Sequence, residues 1–146
     1  MYTLDANVLN RDADERDPDY VVCHALVERL HAARQRIIVP AIILAEIAGS
    51  LSRFYHDPMR ARLYAASVAA LPNLTLVTID AVLAGEASNL AADYALRGMD
   101  AIYVVVAQQY GCTLITLDAE VRQRASAVVI VQTPAEALAA LVPPEA

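Results

Sequence analysis

Five short apolar, β-branched-rich runs recur along the chain, and the segments between them carry a helical spacing. The runs are Tyr2–Leu4, Arg36–Val39 (with Ile37-Ile38-Val39 at its heart), Leu74–Ile79, Cys112–Leu117 and Val128–Val131. They are continuous rather than alternating apolar and polar, the pattern of strands covered on both faces. Between the first two, Val22, Ala25, Leu26, Leu30 and Ala33 fall on one face of a helix over Tyr20–Arg34, opened by Asp17-Pro18-Asp19. Further helices are predicted from Ala41 to about Arg53, with Pro40 at or near the first turn. Others run from Asp57-Pro58 to about Leu71, and from Asp80 as cap to about Leu96, ended by Arg97-Gly98. The last three are Ala101–Tyr110, closed by Gly111, then Glu120–Arg124, then Thr133-Pro134 to about Leu141. Asp5-Ala6-Asn7 reads as a loop or a helix start. Strands separated throughout by helices predict one α/β domain on a parallel sheet, covering 1–142, with a short tail over 143–146. In such sheets ligands bind at the carboxyl ends of the strands, where strand order reverses.

Composition narrows the function. The 146 residues suit a single domain, and 58% apolar content supplies a sizeable core. The net charge of −6 excludes a protein held on nucleic acid by bulk electrostatics alone. All eleven basic residues are Arg. Without Lys there is no Schiff-base chemistry, no P-loop lysine, and no lysine of receiver or haloacid-dehalogenase type. Four glycines and no Gly-x-Gly-x-x-Gly exclude a dinucleotide fingerprint. Trp is absent and Phe54 is the single Phe, so aromatic platforms do not dominate any nucleic-acid binding. Cys23 and Cys112 fit no metal-binding spacing and read as reduced thiols. The N-terminus has no basic, apolar leader and no apolar run reaches the ~18 residues of a membrane span, so a cytoplasmic protein is expected.

The acids are placed where the sheet rule directs attention. Asp5, Asp80 and Asp118 each follow a strand, while Glu46 and Asp100 lie within apolar stretches. Asp80 reads as a helix cap, since a long helix follows at once. No basic residue lies within four positions of Glu46, so no neighbour one helical turn away pairs with it. Asp100 has Arg97 three positions before it, and a cap or an ion pair fits it as well as a ligand role. Carboxylates gathered at strand ends repel unless a cation sits among them. Hard oxygen donors without a His or Cys set select Mg²⁺ or Mn²⁺.

Four segments resemble a known family. Thr3-Leu-Asp-Ala-Asn-Val-Leu9, Pro40-Ala-Ile-Ile-Leu-Ala-Glu46, Arg97-Gly-Met-Asp-Ala-Ile-Tyr103 and Leu114-Ile-Thr-Leu-Asp-Ala-Glu120 resemble, in order and spacing, the motifs of PIN domains. The likeness is greatest to the toxins of VapBC toxin–antitoxin modules. The resemblance implies sheet order 3-2-1-4-5 and a Mg²⁺- or Mn²⁺-dependent endoribonuclease. It places the acidic quartet on Asp5, Glu46, Asp100 and Asp118. It also implies a homodimer and an antitoxin partner. Asn7 and Thr116 are candidates for a supporting shell or for phosphate contacts, and Glu120 for an outer ligand through water. Capping suits Asn7 and Thr116 equally, and a solvated helix position suits Glu120 better than a ligand role. His24, His31 and His56 are read as ordinary residues. Arg11, Arg16, Arg53, Arg60 and Arg62 are candidates for a basic rim. The lysine-free, acidic composition departs from many RNA-cutting relatives, although Arg alone can bind phosphate bidentately. The competing reading is a PIN-like module that binds RNA or a protein without cutting.

Overall fold

The computed structural model describes residues 1–141; the tail expected over 143–146 lies outside the described residues. Five strands, β1 (Tyr2–Leu4), β2 (Ile37–Pro40), β3 (Leu74–Val77), β4 (Thr113–Ile115) and β5 (Val131–Gln132), form one sheet in the order β3-β2-β1-β4-β5. Every pairing is parallel, with Tyr2 opposite both Ile37 and Thr113, and Leu4 opposite Ile115. The central strands are sealed on both faces: Leu4, Ile38, Val39 and Leu114 have no exposed surface. Thr3 is buried too, and its hydroxyl donates to the Ile38 carbonyl at 2.8 Å. Edge strand β3 departs from the two-sided burial expected of it, with Thr75 and Leu76 exposed.

Among the described residues eight helices connect and cover the strands: α1 (Ala6–Asp12), α2 (Tyr20–Ala32), α3 (Ile43–Tyr55), α4 (Pro58–Ala69), α5 (Ala81–Tyr94), α6 (Gly98–Tyr110), α7 (Ala119–Ala125) and α8 (Pro134–Ala140). Among the described residues none is long and apolar enough to cross a membrane. Caps account for several boundaries. Asp57 accepts from the Arg60 amide, Asp80 from the Leu83 amide, and Thr133 forms a reciprocal capping box with Glu136. Gly111 closes α6 in the left-handed conformation, φ 63°.

Four boundaries differ from the sequence expectation. Pro40 ends β2 instead of opening a helix. It needs no amide there, and Ala41 N–H takes the Val77 carbonyl at 2.8 Å before α3 begins at Ile43. The turn after α5 is made by Ala95 at φ 52°, not by Gly98, which is the first residue of α6. Asp100 therefore sits inside the first turn of α6 and does not cap it; Arg97 occupies the cap position without a side-chain cap bond. Strand β5 starts at Val131 because the Val128 and Val129 amides fold back onto the Ala125 carbonyl after α7.

Strand order reverses between β1 and β4. The chain leaves β1 into α1 and leaves β4 into α7, so both first turns open over the same crevice. Helix α6 packs beneath it against β1, β2 and β4, and α1 packs against α3 along its side.

A candidate acidic cleft at the reversal of strand order

Asp5 leaves β1 in an extended conformation and caps α1, accepting from the Asn7 amide N–H at 3.3 Å and from Asn7 Nδ2 at 3.0 Å. Across the crevice the buried Thr116 hydroxyl donates to Asp5 Oδ2 at 2.6 Å. The same hydroxyl oxygen accepts from Asn7 Nδ2 and from the Asp118 amide, each at 3.1 Å. Asn7 Oδ1 takes the Leu117 amide at 3.2 Å. Asn7 and Thr116 thus stitch the end of β1 to the end of β4 and fix the Asp5 carboxyl between them.

Asp118 caps α7, its Oδ1 accepting from the Glu120 and Val121 amides at 2.8 and 3.2 Å. Its Oδ2 faces Arg97, whose Nη2 donates at 2.5 Å. Arg97 Nε donates to Asp100 Oδ2 at 2.7 Å, so one guanidinium bridges two of the acids. Glu46, from the first turn of α3, accepts at Oε2 from the hydroxyl of Tyr103 at 2.5 Å. Tyr103 lies one helical turn past Asp100 on α6, and its ring is buried.

Asp5, Glu46, Asp100 and Asp118 line one cavity of about 570 Å³, together with Asn7, Asn10, Ser50, Arg53 and Arg97. Burial pushes the Asp5 pKa up, the Thr116 and Asn7 hydrogen bonds pull against it, and the charges of Asp100 and Asp118 push it further. Glu46 is raised for the same leading reason, offset by Tyr103 and reinforced by Asp5 and Asp100. Burial works upward on Asp118 as well, but the Val121 amide, Arg97 and the Glu120 amide outweigh it, and its pKa is lowered. The cleft therefore holds two acids that resist ionisation beside two that Arg97 compensates. Among the described residues no three His, Cys, Asp or Glu side chains stand ready as a metal cluster.

The other sequence candidates are distributed differently. Glu120 is exposed and paired with Arg124 at 2.9 Å, away from the cavity lining. Of the five rim arginines only Arg53 lines the cleft. Arg11 pairs with Asp17 and Arg16 with Asp14, while Arg60 lies 3.8 Å from the Tyr55 ring centroid. Arg62 is exposed on α4. His24 stacks on Tyr20 and sits 2.8 Å from Asp12, and His31 faces Asn73. Cys23 and Cys112 are buried free thiols. Tyr103 and Arg97 are the residues that sequence reasoning left without a role in the cleft. The spacing of three from Asp100, forward to Tyr103 and back to Arg97, was the available signal.

The fold and cleft define a five-stranded parallel α/β domain with an acidic crevice at the carboxyl ends of its central strands. The PIN domain profile matches residues 2–127, and the chain belongs to that family, whose members are in general nucleases. Solved structures share the fold at low identity. Mycobacterium tuberculosis VapC20, described as a sarcin–ricin-loop-cleaving toxin, superposes with a TM-score of 0.70 at 16% identity, covering 84% of this chain and 94% of that one. FitAcB from Neisseria gonorrhoeae gives 0.69 at 19%, covering 92% and 98%. A toxin–antitoxin complex from Klebsiella pneumoniae gives 0.63 at 22%, with the same coverages. No curated protein matches the sequence.

Proposed function

We propose that this protein is a Mg²⁺- or Mn²⁺-dependent endoribonuclease acting as the toxin of a type II toxin–antitoxin module. The observation that supports it is the meeting of Asp5, Glu46, Asp100 and Asp118 around one cleft, at the place where an open parallel sheet binds ligands. The donor set is all oxygen, and beyond burial the neighbouring acids help to raise the pKa values of Asp5 and Glu46, which is the chemistry that accommodates a hard divalent cation. Asp5, Glu46, Asp100 and Asp118 would hold the ion. Bound there, it would polarise a phosphate oxygen and lower the pKa of an attacking water.

The chain's own groups have separable tasks. Asn7 and Thr116 hold Asp5 in one orientation, and Tyr103 does the same for Glu46. Asp100 or Asp118, once Arg97 is drawn away, is the carboxylate assigned to orient the water or take its proton. Arg97, once released from them, offers a planar fork of donors to a phosphate. Toxin–antitoxin neighbours of the same fold support an antitoxin partner. The open cavity between α2, α3 and α4, lined by Tyr20, Leu51, Met59 and Leu63, offers it apolar surface. A homodimer is the expected assembly and the cytoplasm the expected location.

One observation favours a second reading, a PIN-like module that binds without cutting: Arg97 already neutralises Asp100 and Asp118. RNA cleavage that requires Mg²⁺ or Mn²⁺ and stops in EDTA supports the nuclease. RNA binding with no cleavage under either metal supports the module.

A further inference from the structure

Two helices present polar stripes to the cleft beyond its carboxylates. On α3 these are Glu46, Ser50 and Arg53, spaced four and three apart; on α1 they are Asn7 and Asn10, three apart. Each spacing keeps its residues on one helix face. The α3 stripe extends about 10 Å along the helix axis from Glu46. A small second cavity shares Asn10 and Ser50 with the cleft and continues to Phe54 and Tyr55.

Three features of this extension lack an internal explanation. Asn10 Oδ1 is shut off from solvent and has no hydrogen-bond partner among the described residues. Such an atom is costly to leave unmet. Of the two arginines that line the cleft, Arg97 is held by two acids, whereas Arg53 makes no ion pair among the described residues. Its guanidinium lies along α3, with Nη1 3.4 Å from where a Cβ on Gly49 would stand. Phe54 is 64% exposed, and it meets Tyr55 only edge-on at 5.0 Å between centroids. The Tyr55 ring is itself occupied by Arg60.

We propose that this extension is a subsite for the nucleotide next to the scissile phosphate in single-stranded RNA. Arg53 takes that nucleotide's phosphate, Asn10 and Ser50 meet its ribose or base edge, and Phe54 supplies the stacking surface. The inference rests on the nuclease reading and adds to it the residues that hold the nucleotide beside the cleft. A single cation and a single aromatic are the minimal equipment for a single strand: one neutralises a phosphate, the other stacks on any base. In an acidic, lysine-free chain the position of the arginine that lines the cleft without an acidic partner decides where the backbone can run.

The test uses a fluorescein-labelled single-stranded oligoribonucleotide and the full chain carrying Asp100→Asn, with Mn²⁺ present, across a salt series. Adding Arg53→Gln should weaken binding about tenfold and reduce the slope of log K against log salt by about 0.7. Arg53→Lys should keep that slope. Adding Phe54→Ala should weaken binding by roughly tenfold or more while leaving the slope alone. Circular dichroism melts of each variant show that the exposed substitutions leave the fold intact. Affinities and slopes equal to the parent's overturn the subsite while leaving the nuclease reading standing, provided the native chain cleaves RNA. A parent that binds no single-stranded RNA overturns the subsite outright, and a native chain that cleaves nothing removes the nuclease reading beneath it.

Discussion

Arg97 and Asp118 stand 21 residues apart in sequence and 2.5 Å apart in the cleft. The same guanidinium reaches Asp100 at 2.7 Å, so a cation from the chain occupies the space between two acids. Like charges this close disfavour one another's ionised forms unless something positive lies between them. Arg97→Gln should therefore lower the melting temperature of the metal-free protein, and Mn²⁺ should restore more of it than in the native chain. Thermal melts in EDTA and in Mn²⁺ measure both. An unchanged metal-free melt would show that the bridge contributes nothing to stability, as many exposed ion pairs do not.

Asp100→Asn keeps the shape of the side chain but removes a charge and weakens the hold of Arg97. RNA cleavage should be lost and the Mn²⁺-induced rise in melting temperature should shrink. Because Asp100 does not cap α6, the preference of Asn for caps offers no compensation. Retained cleavage would remove Asp100 from the reacting group.

Tyr103→Phe deletes the one side-chain donor to Glu46 among the described residues. The ring stays packed, and the loss is a part-buried hydrogen bond to a carboxylate, about 1.5 kcal/mol. The Glu46 pKa, already raised by burial, should rise further, because the Tyr103 bond is what opposes the rise. Chemical denaturation gives the stability loss. Cleavage against pH should show its acidic limb moved to higher pH.

The pH dependence of the metal-free protein follows from the sign of each shift. Asp5 and Glu46 are raised, so in the fold they prefer to keep their protons. Their contribution to stability is full below the ordinary carboxylate range, about pH 4, and is lost as pH rises through the raised values. Asp118 is lowered and acts oppositely: its contribution holds above the ordinary range and is lost as pH falls. In EDTA, Asp5→Asn should remove part of the stability loss seen as pH rises above about 4. Denaturant midpoints across a pH series measure it. A native-like slope in the variant would contradict the assignment of burial as the dominant cause.

Ala95 turns the chain out of α5 with φ 52°, a conformation strained for any residue with a Cβ. Ala95→Gly should stabilise the protein by roughly 0.5–1 kcal/mol, after allowing for the greater freedom of Gly in the unfolded chain. Its carbonyl, which accepts from Arg124, is untouched by the change. A fall in stability would show that the turn is shaped by something other than its own backbone.

The sequence determined the alternation of strand and helix, the caps at Asp57, Asp80 and Thr133, and the acids that end β1 and β4. These are local matters: an apolar run, a side chain one turn from the amide it satisfies, a strand that must stop. The four motifs, read as a resemblance, carried the strand order and pointed to the four acids that line one cleft. The chain could not show which residue turns out of α5. Gly98 was the favoured signal, yet the packing of α5 against α6 places the left-handed residue at Ala95 and spends Gly98 inside a helix. Nor could it show that Arg97 spans from its own helix to Asp118, or that Tyr103 reaches Glu46 across 57 positions. Those contacts arise only when parallel pairing lays β4 beside β1 and α6 beneath both. Distance along the chain carries no information about such pairs, because the sheet register, and not the local backbone, sets which side chains share the cleft.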